Sequence, residues 1–139
     1  MRIIALDYGH AHTGVAISDP TGTIVRPLAD IDNASGEEGL KSIADLVRNG
    51  GAGAIIVGMP VSLNGKLGTQ AQETADFIGL LKDRLTVPLV SWDERFTSKM
   101  AAGKGHDSTS SRHGMAACVL LEDFLGSQEY RRLVCISSE

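Results

Sequence analysis

Aromatic side chains make up only 4% of this 139-residue chain, so its core must be packed mainly from Ile, Leu, Val and Ala. Cysteine is scarce as well: Cys118 and Cys135 are too few to staple a secreted scaffold and lack the spacing of a metal site. No apolar run approaches the length of a membrane span. Met1-Arg2 opens straight into Ile3-Ile4-Ala5-Leu6, an apolar stretch too short for a signal sequence. These absences point to a reducing cytoplasm. Positive charge is in deficit, with 13 Lys and Arg against 17 Asp and Glu and a net charge of −4. That balance excludes a broadly basic nucleic-acid coat but leaves room for a local basic patch. Repeats, low-complexity tracts and an interior linker are missing too, and the length is that of one domain over residues 1–139.

The apolar residues that are present fall into two periods. Residues 2–7 form a run ending in Asp7, followed by the polar loop Tyr8-Gly9-His10-Ala11-His12. Residues 13–18 read as a second strand, closed by the turn signal Asp19-Pro20-Thr21-Gly22, and a third strand runs from about Thr23 to Ile31. Connections this short predict an antiparallel meander. Ser35-Gly36-Glu37-Glu38 then reads as a capping box, with Leu40, Ile43, Ala44 and Val47 at helical spacing until Asn49-Gly50-Gly51. Ala54-Ile55-Ile56-Val57 is a fully apolar strand of the buried type. A second helix is capped by Thr69 with Gln72 and buries Ala71, Ala75, Ile78, Leu81 and Leu85. Residues 87–92 form the last strand, Thr97 to Ala102 a short helix, and Arg112 to Leu125 a final helix. The stretch from Gly103 to Ser111, with glycine hinges and no apolar anchor, reads as a flap, and the tail after Gly126 carries no signal. The order βββαβαβα predicts an α/β fold with a mixed five-stranded sheet flanked by helices.

Right-handed crossovers make the first and last strands parallel, so Asp7, Asp93 and Glu94 are expected to gather at one edge of the sheet. Crowded carboxylates repel unless a cation lies between them, and hard oxygen donors favour Mg²⁺ or Mn²⁺. Two such ions roughly 3.5–4 Å apart suit phosphodiester hydrolysis. Taken singly, Asp7 could be a turn former, and Asp93-Glu94-Arg95 a solvated loop with an internal ion pair. Trp92 is expected to pack at the strand end, and Cys118 to be a small buried hydrophobe.

Leu6-Asp7-Tyr8-Gly9 with Gly14-Val15-Ala16-Ile17-Ser18-Asp19 resembles the opening motif of the YqgF/RuvX family of Holliday junction resolvase-like proteins, also assigned to pre-rRNA processing. Gly58-Met59-Pro60 followed by Asn64-Gly65-Lys66-Leu67-Gly68 resembles the second motif, and Asp93-Glu94-Arg95-Phe96-Thr97 the DER[LF]T motif. Ala116-Ala117 with Leu120-Leu121 is similar to the last helix, so the likeness covers about residues 3–125. It implies an RNase H-like fold over residues 1–139, with 127–139 an uninformative tail, and metal-dependent endonuclease chemistry in maturing the 5′ end of 16S rRNA. Asp7 matches the first-strand aspartate, and Asp93 with Glu94 the DER acids.

Two departures stand out. The family carries an Asp in a D-x-x-A-A pattern where this chain has His113, so an imidazole replaces a carboxylate. If His113 ligates metal with Asp7 and Glu94, affinity falls and the preference tilts toward Mn²⁺. Where the family has Thr-Lys-Arg after the first glycine, this chain has His10-Ala11-His12, read as exposed loop histidines that touch phosphate. Lys66, Arg95, Lys99, Lys104 and Arg112 would supply further phosphate contacts if they cluster at the acidic edge. The expected partner is a ribosomal RNA precursor or other structured nucleic acid, bound by a cytoplasmic monomer or homodimer. The alternatives are a Holliday junction resolvase and a catalytically weakened RNA-binding or ribosome-assembly factor. ATP phosphotransfer, suggested by the Asp-x-Gly signature, needs a second domain that 139 residues do not provide.

Overall fold

The three N-terminal apolar runs form an antiparallel meander, β1 (Ile3–Asp7), β2 (His12–Ser18) and β3 (Val25–Asp32). After the helix α1 (Glu37–Gly50), β4 (Ala54–Met59) returns parallel to β1, and after α2 (Thr69–Lys82), β5 (Leu89–Asp93) lies parallel to β4. Two further helices, α3 (Arg112–Leu125) and α4 (Gln128–Ser137), complete the described elements. The spatial strand order is β3-β2-β1-β4-β5, the mixed sheet expected from the sequence. This computed structural model describes residues 1–9, 11–59, 69–93 and 112–137; the expected helix at 97–102 and flap at 103–111 lie outside them.

Burial on both faces explains why β1 and β4 are apolar along their length. Ile4 and Leu6 of β1, with Val15, Ile17, Ile55 and Val57, pack against Leu40, Ile43 and Val47 of α1 and Phe77 and Leu81 of α2. Their alternates Ile3 and Ala5, with Ala16, Ala54 and Ile56, pack against Ala117, Leu120, Leu121 and Phe124 of α3. Alanines at the centre of this second face let α3 lie close to the sheet with few aromatics. Fully burying each Leu, Ile or Phe contributes about 1.5–3 kcal/mol, so the two layers supply most of the driving force.

Several local expectations are corrected. The N-cap of α1 is Gly36, and no side chain caps the helix, so Ser35 does not form the expected box. Close packing takes its place: Asn33 adopts φ 48°, and a Cβ on Gly39 would stand 2.5 Å from the Asn33 carbonyl oxygen. Gly51 ends α1 in the left-handed conformation (φ 66°), as the Asn-Gly-Gly signal implied. On α2 the fully buried stripe is Ala71, Thr74, Phe77 and Leu81; Ile78, and Leu85 beyond the helix end, are half-buried against the same core as expected, whereas Ala75 is exposed. Thr74 is tolerated there because its hydroxyl donates to the Gln70 carbonyl (2.9 Å). β4 runs through Gly58 to Met59, and β5 starts only after Pro88. Cys118 is half-buried and packs against the α3 layer.

The tail after Gly126 folds into α4, which carries a readable start. Ser127 accepts a hydrogen bond from the Tyr130 backbone N–H (3.3 Å), and Tyr130 and Leu133 pack against the α3 layer. The Tyr130 hydroxyl donates to the Met1 carbonyl (3.4 Å), tying α4 to the N-terminal end of β1.

Asp19 organises the β2–β3 turn. Its carboxylate accepts hydrogen bonds from the Thr21 hydroxyl and from the backbone N–H groups of Thr23 and Ile24. Those donors, the Thr21 hydroxyl foremost, hold its pKa well below the ordinary carboxylate value. A depressed folded-state pKa contributes stability above the unfolded value, near pH 4, that is lost as pH falls toward the folded one. Unfolding followed by circular dichroism at stepped pH should therefore find wild type more stable than Asp19→Ala at neutrality, with the gap shrinking below about pH 4. A gap that stays constant down to pH 2 would show that the hydrogen bonds to Asp19 do not carry it.

Candidate functional site at the carboxyl edge of the sheet

Parallel pairing decides where the strand-end acids lie. β1 pairs with β4 through Leu6 and Val57, and β4 pairs with β5 through Met59 and Asp93. Asp7 and Asp93 therefore close their strands at the same edge, with β4 between them, and adjacent strands are about 4.8 Å apart. For Asp93 the backbone is described, and Glu94 lies outside the described residues.

The alternation of β1 puts Asp7 on the same face as Ile3 and Ala5, the face covered by α3. Its cross-strand partner is Gly14, so no side chain stands opposite it. Asp7 is half-buried and has no hydrogen-bond or ion-pair partner among the described residues. The chain beyond it turns tightly. Tyr8 stacks on Phe77 (centroids 4.4 Å apart, planes at 18°), anchoring the loop to α2. A Cβ on Gly9 would stand 2.3 Å from the His12 carbonyl oxygen, so the close return to β2 requires glycine.

His113 is the second residue of α3, and Arg112 the first; for both, the backbone is described. The opposite end of α3 packs through Phe124 against Tyr130, which reaches Met1 at the start of β1. The helix, about 21 Å long at 1.5 Å per residue, lies over the sheet face of Ile3, Ala5, Ala16, Ala54 and Ile56. His10, Lys66, Arg95, Lys99 and Lys104 lie outside the described residues. Among those that are described, no three His, Cys, Asp or Glu residues converge as a metal cluster.

His12 differs from its expected role as a loop residue. It is the first residue of β2, paired in register with Asp32 of β3, and its Nδ1 lies 2.6 Å from Asp32 Oδ1. The pairing of these two residues was not legible in the sequence, because a register irregularity between Thr13 and Val15 shifts the count along β3. Trp92 packs at the end of β5 as expected, donating from Nε1 to Asp123 (2.8 Å) and meeting Phe124 edge-on.

With the geometry in place, comparison with known proteins places the chain among its relatives. The family described as "RuvX: Holliday junction resolvase" matches residues 1–127. The chain belongs to the RuvX family. A Thermoanaerobacter pseudethanolicus protein named "Putative pre-16S rRNA nuclease" is 36% identical over 137 residues, covering 93% of this chain and 99% of its own. A namesake from Pelotomaculum thermopropionicum is 38% identical over 137 residues, covering 92% of this chain and 88% of its own. Among solved structures, Thermus thermophilus RuvC superposes with a TM-score of 0.62 at 15% identity, covering 96% of both chains. RuvC from the same organism in complex with a Holliday junction substrate gives 0.59 at 14% identity, again over 96% of both chains. At that identity the likeness defines the fold, which is RNase H-like. The RuvX match stops at residue 127, so α4 lies beyond it. No helix among the described residues is long and apolar enough to cross a membrane.

Proposed function

We propose that this chain is a metal-dependent endonuclease that hydrolyses phosphodiester bonds in structured RNA, acting in the cytoplasm at the 5′ end of pre-16S rRNA. The observation that carries this reading is the common edge of β1 and β5. It brings the backbone of Asp93 within two strand spacings of Asp7, in a chain whose relatives bear nuclease names.

The residues fit a hard divalent cation. Asp7 is a half-buried carboxylate with unused acceptor capacity and a glycine opposite it, which is the donor type that Mg²⁺ and Mn²⁺ prefer. In this reading Asp7, Glu94 and His113 hold the ions, with Asp93 beside them. The imidazole of His113 removes one negative charge and favours Mn²⁺ over Mg²⁺. Bound ions would supply Lewis-acid stabilisation of the charge that develops on the phosphoryl oxygens. The protein's own part is to hold the carboxylates at fixed positions on rigid strand ends and to leave room for a phosphate over Gly14. Lys66, Arg95, Lys99, Lys104 and Arg112 neutralise neighbouring phosphates, with His10 among the contacts of the opening loop.

The test uses a pre-16S rRNA transcript and a four-way DNA junction, each incubated with purified protein and Mn²⁺. The transcript should be cut near its 5′ end, and EDTA should abolish the cut. Cleavage of the junction alone would replace this reading with a resolvase, and cleavage of neither would end it. A weakened RNA-binding factor is the second reading, favoured by His113 and by the loss of the Lys-Arg pair at residues 11 and 12. It would bind RNA in calorimetry with no saturable Mn²⁺ site.

A further inference from the structure

A second group of charges lies at the opposite end of the sheet from Asp7, on the face that carries α1. Arg2, Ile17, Ser18, Asp19, Ile24 and Arg26 line a cavity of about 240 Å³ there. Ile17 stands directly opposite Arg26 across β2 and β3, so both side chains share the face on which Ile17 packs into the α1 layer. Arg2 precedes β1, about 16 Å along the chain from Asp7, which lies on the α3 face.

The two guanidiniums are held differently. Arg2 donates from Nε to the Ser18 carbonyl (3.2 Å) and from Nη1 to the Gly50 carbonyl (2.8 Å) at the end of α1. Its head is thereby fixed, with the remainder of a guanidinium's five N–H donors unspent. Arg26 is exposed and has no hydrogen-bond or ion-pair partner among the described residues. Two groups on the wall oppose an anion, the Asp19 carboxylate and the carbonyl end of α1, and both are already engaged. Asp19 accepts from the Thr21 hydroxyl and from the Thr23 and Ile24 backbone N–H groups, and Arg2 itself takes the Gly50 carbonyl. One carboxylate against two guanidiniums leaves the wall with a net positive charge.

Beside this charge stands an apolar surface that the fold leaves open. Ile24 is 65% exposed, and only Leu80 joins it as an exposed large hydrophobic residue among those described. The cavity is smaller than the roughly 300–1,000 Å³ of pockets that enclose a drug-sized molecule, so a ligand with an anionic end would be enclosed only in part. We propose that the cavity binds a nucleoside monophosphate unit, with its phosphate on Arg2 and Arg26 and its base laid over Ile24. Guanidinium forks pair with phosphate oxygens two at a time. A phosphate monoester carries about −1.5 to −2 charges near neutral pH, which suits two guanidiniums better than the single charge of a backbone diester. The unit is a free mononucleotide or the 5′-phosphorylated end of an RNA strand. This site is remote from the strand-end acids and does not depend on the nuclease reading.

Calorimetry on the intact chain with AMP, inorganic phosphate and adenosine tests this, in EDTA so that no divalent ion at the carboxyl edge contributes. AMP should bind saturably and more weakly as salt rises, inorganic phosphate should bind less tightly, and adenosine should not bind detectably. Arg26→Ala should weaken AMP about tenfold or more at an unchanged melting temperature, because Arg26 makes no bond that the fold would lose. Ile24→Ser should weaken AMP several-fold and leave inorganic phosphate as in wild type. Arg2→Lys keeps the charge and loses the fork, and should weaken AMP at temperatures where its circular dichroism is native. Competition then names the source. A 5′-phosphorylated tetranucleotide that displaces AMP more effectively than AMP itself marks an RNA end, and one that displaces it poorly marks a free mononucleotide; either result upholds the site. Its 5′-hydroxyl counterpart should not compete. Absence of saturable AMP binding by wild type would overturn the proposal, as would wild-type AMP affinity in Arg26→Ala or adenosine binding as tight as that of AMP. Loss or retention of RNA cleavage bears on the nuclease reading alone.

Discussion

Asp7→Asn is expected to slow RNA cleavage about a thousandfold, which is ~4 kcal/mol of transition-state stabilisation at 1.4 kcal/mol per tenfold. The substitution keeps the size and shape of the side chain and removes one negative charge from the edge where β1 and β5 end. A neutral amide is a poor ligand for a hard cation, so Mn²⁺ binding measured by calorimetry should weaken in parallel. Stability should hardly change. Among the described residues Asp7 makes no hydrogen bond or ion pair that the substitution would break. The combination is diagnostic: a lost rate with an unchanged melting temperature marks a functional carboxylate, whereas a turn former would lose stability and keep its rate. Equal cleavage by Asp7→Asn and wild type would remove Asp7 from the site.

Much of this architecture was legible because it follows from periodicity that local physics enforces. Ile3 to Asp7 and Ala54 to Val57 are apolar without alternation because both faces of β1 and β4 are covered, and such runs read as central strands. The bounds of α3, Arg112 to Leu125, follow from its apolar spacing. What was not legible depended on tertiary packing. Ser35 has the chemistry of a cap, but close contact of Gly36 and Gly39 with Asn33 and Ala34 fixes the start of α1 one residue later, at Gly36. Ala75 looks like a core residue by composition, yet the helix turns Thr74 inward because its hydroxyl can be satisfied by Gln70. Helix α4 is hard to read in the sequence although Ser127 with Glu129 in its first turn offers a start signal: of its apolar residues only Tyr130, Leu133 and Val134 share one side, too few to register as a stripe.

The site divides along the same line. Asp7 could be read from its place at the end of a buried run, and the common edge of β1 and β5 follows from the handedness of crossovers. Asp32 could not be found that way. It is one of two acids, with Asp30, in the stretch from Ala29 to Asp32, and only the register of β2 on β3, interrupted between Thr13 and Val15, brings it to His12. Register follows the hydrophobic pattern and the turn, and the irregularity between Thr13 and Val15 breaks that count before it reaches Asp32.

Phe124→Ala should produce the largest loss of stability, about 4 kcal/mol, which for a domain of this size lowers the melting temperature by roughly 12 °C. Phe124 is fully buried and lies where three elements meet. It meets Trp92 of β5 edge-on at 5.2 Å and Tyr130 of α4 at 6.0 Å, and it packs with Ile3, Ala54 and Ile56 beneath it. Trp92 is tethered to Asp123 and Tyr130 to the Met1 carbonyl, so neither ring moves freely into the cavity; the site collapses only partly and the cost stays near the upper range. Trp92 is the sole tryptophan, and its indole both touches Phe124 and donates to Asp123, so its fluorescence reports on this junction directly. The variant should show a shifted Trp92 emission at temperatures where circular dichroism still finds native secondary structure. It should also lose cleavage at a lower temperature than wild type, because Phe124 fixes how α3 crosses the sheet and so where His113 is carried. A melting temperature within a few degrees of wild type would mean that α3 is held by its small residues alone, and that the aromatic junction with α4 is dispensable.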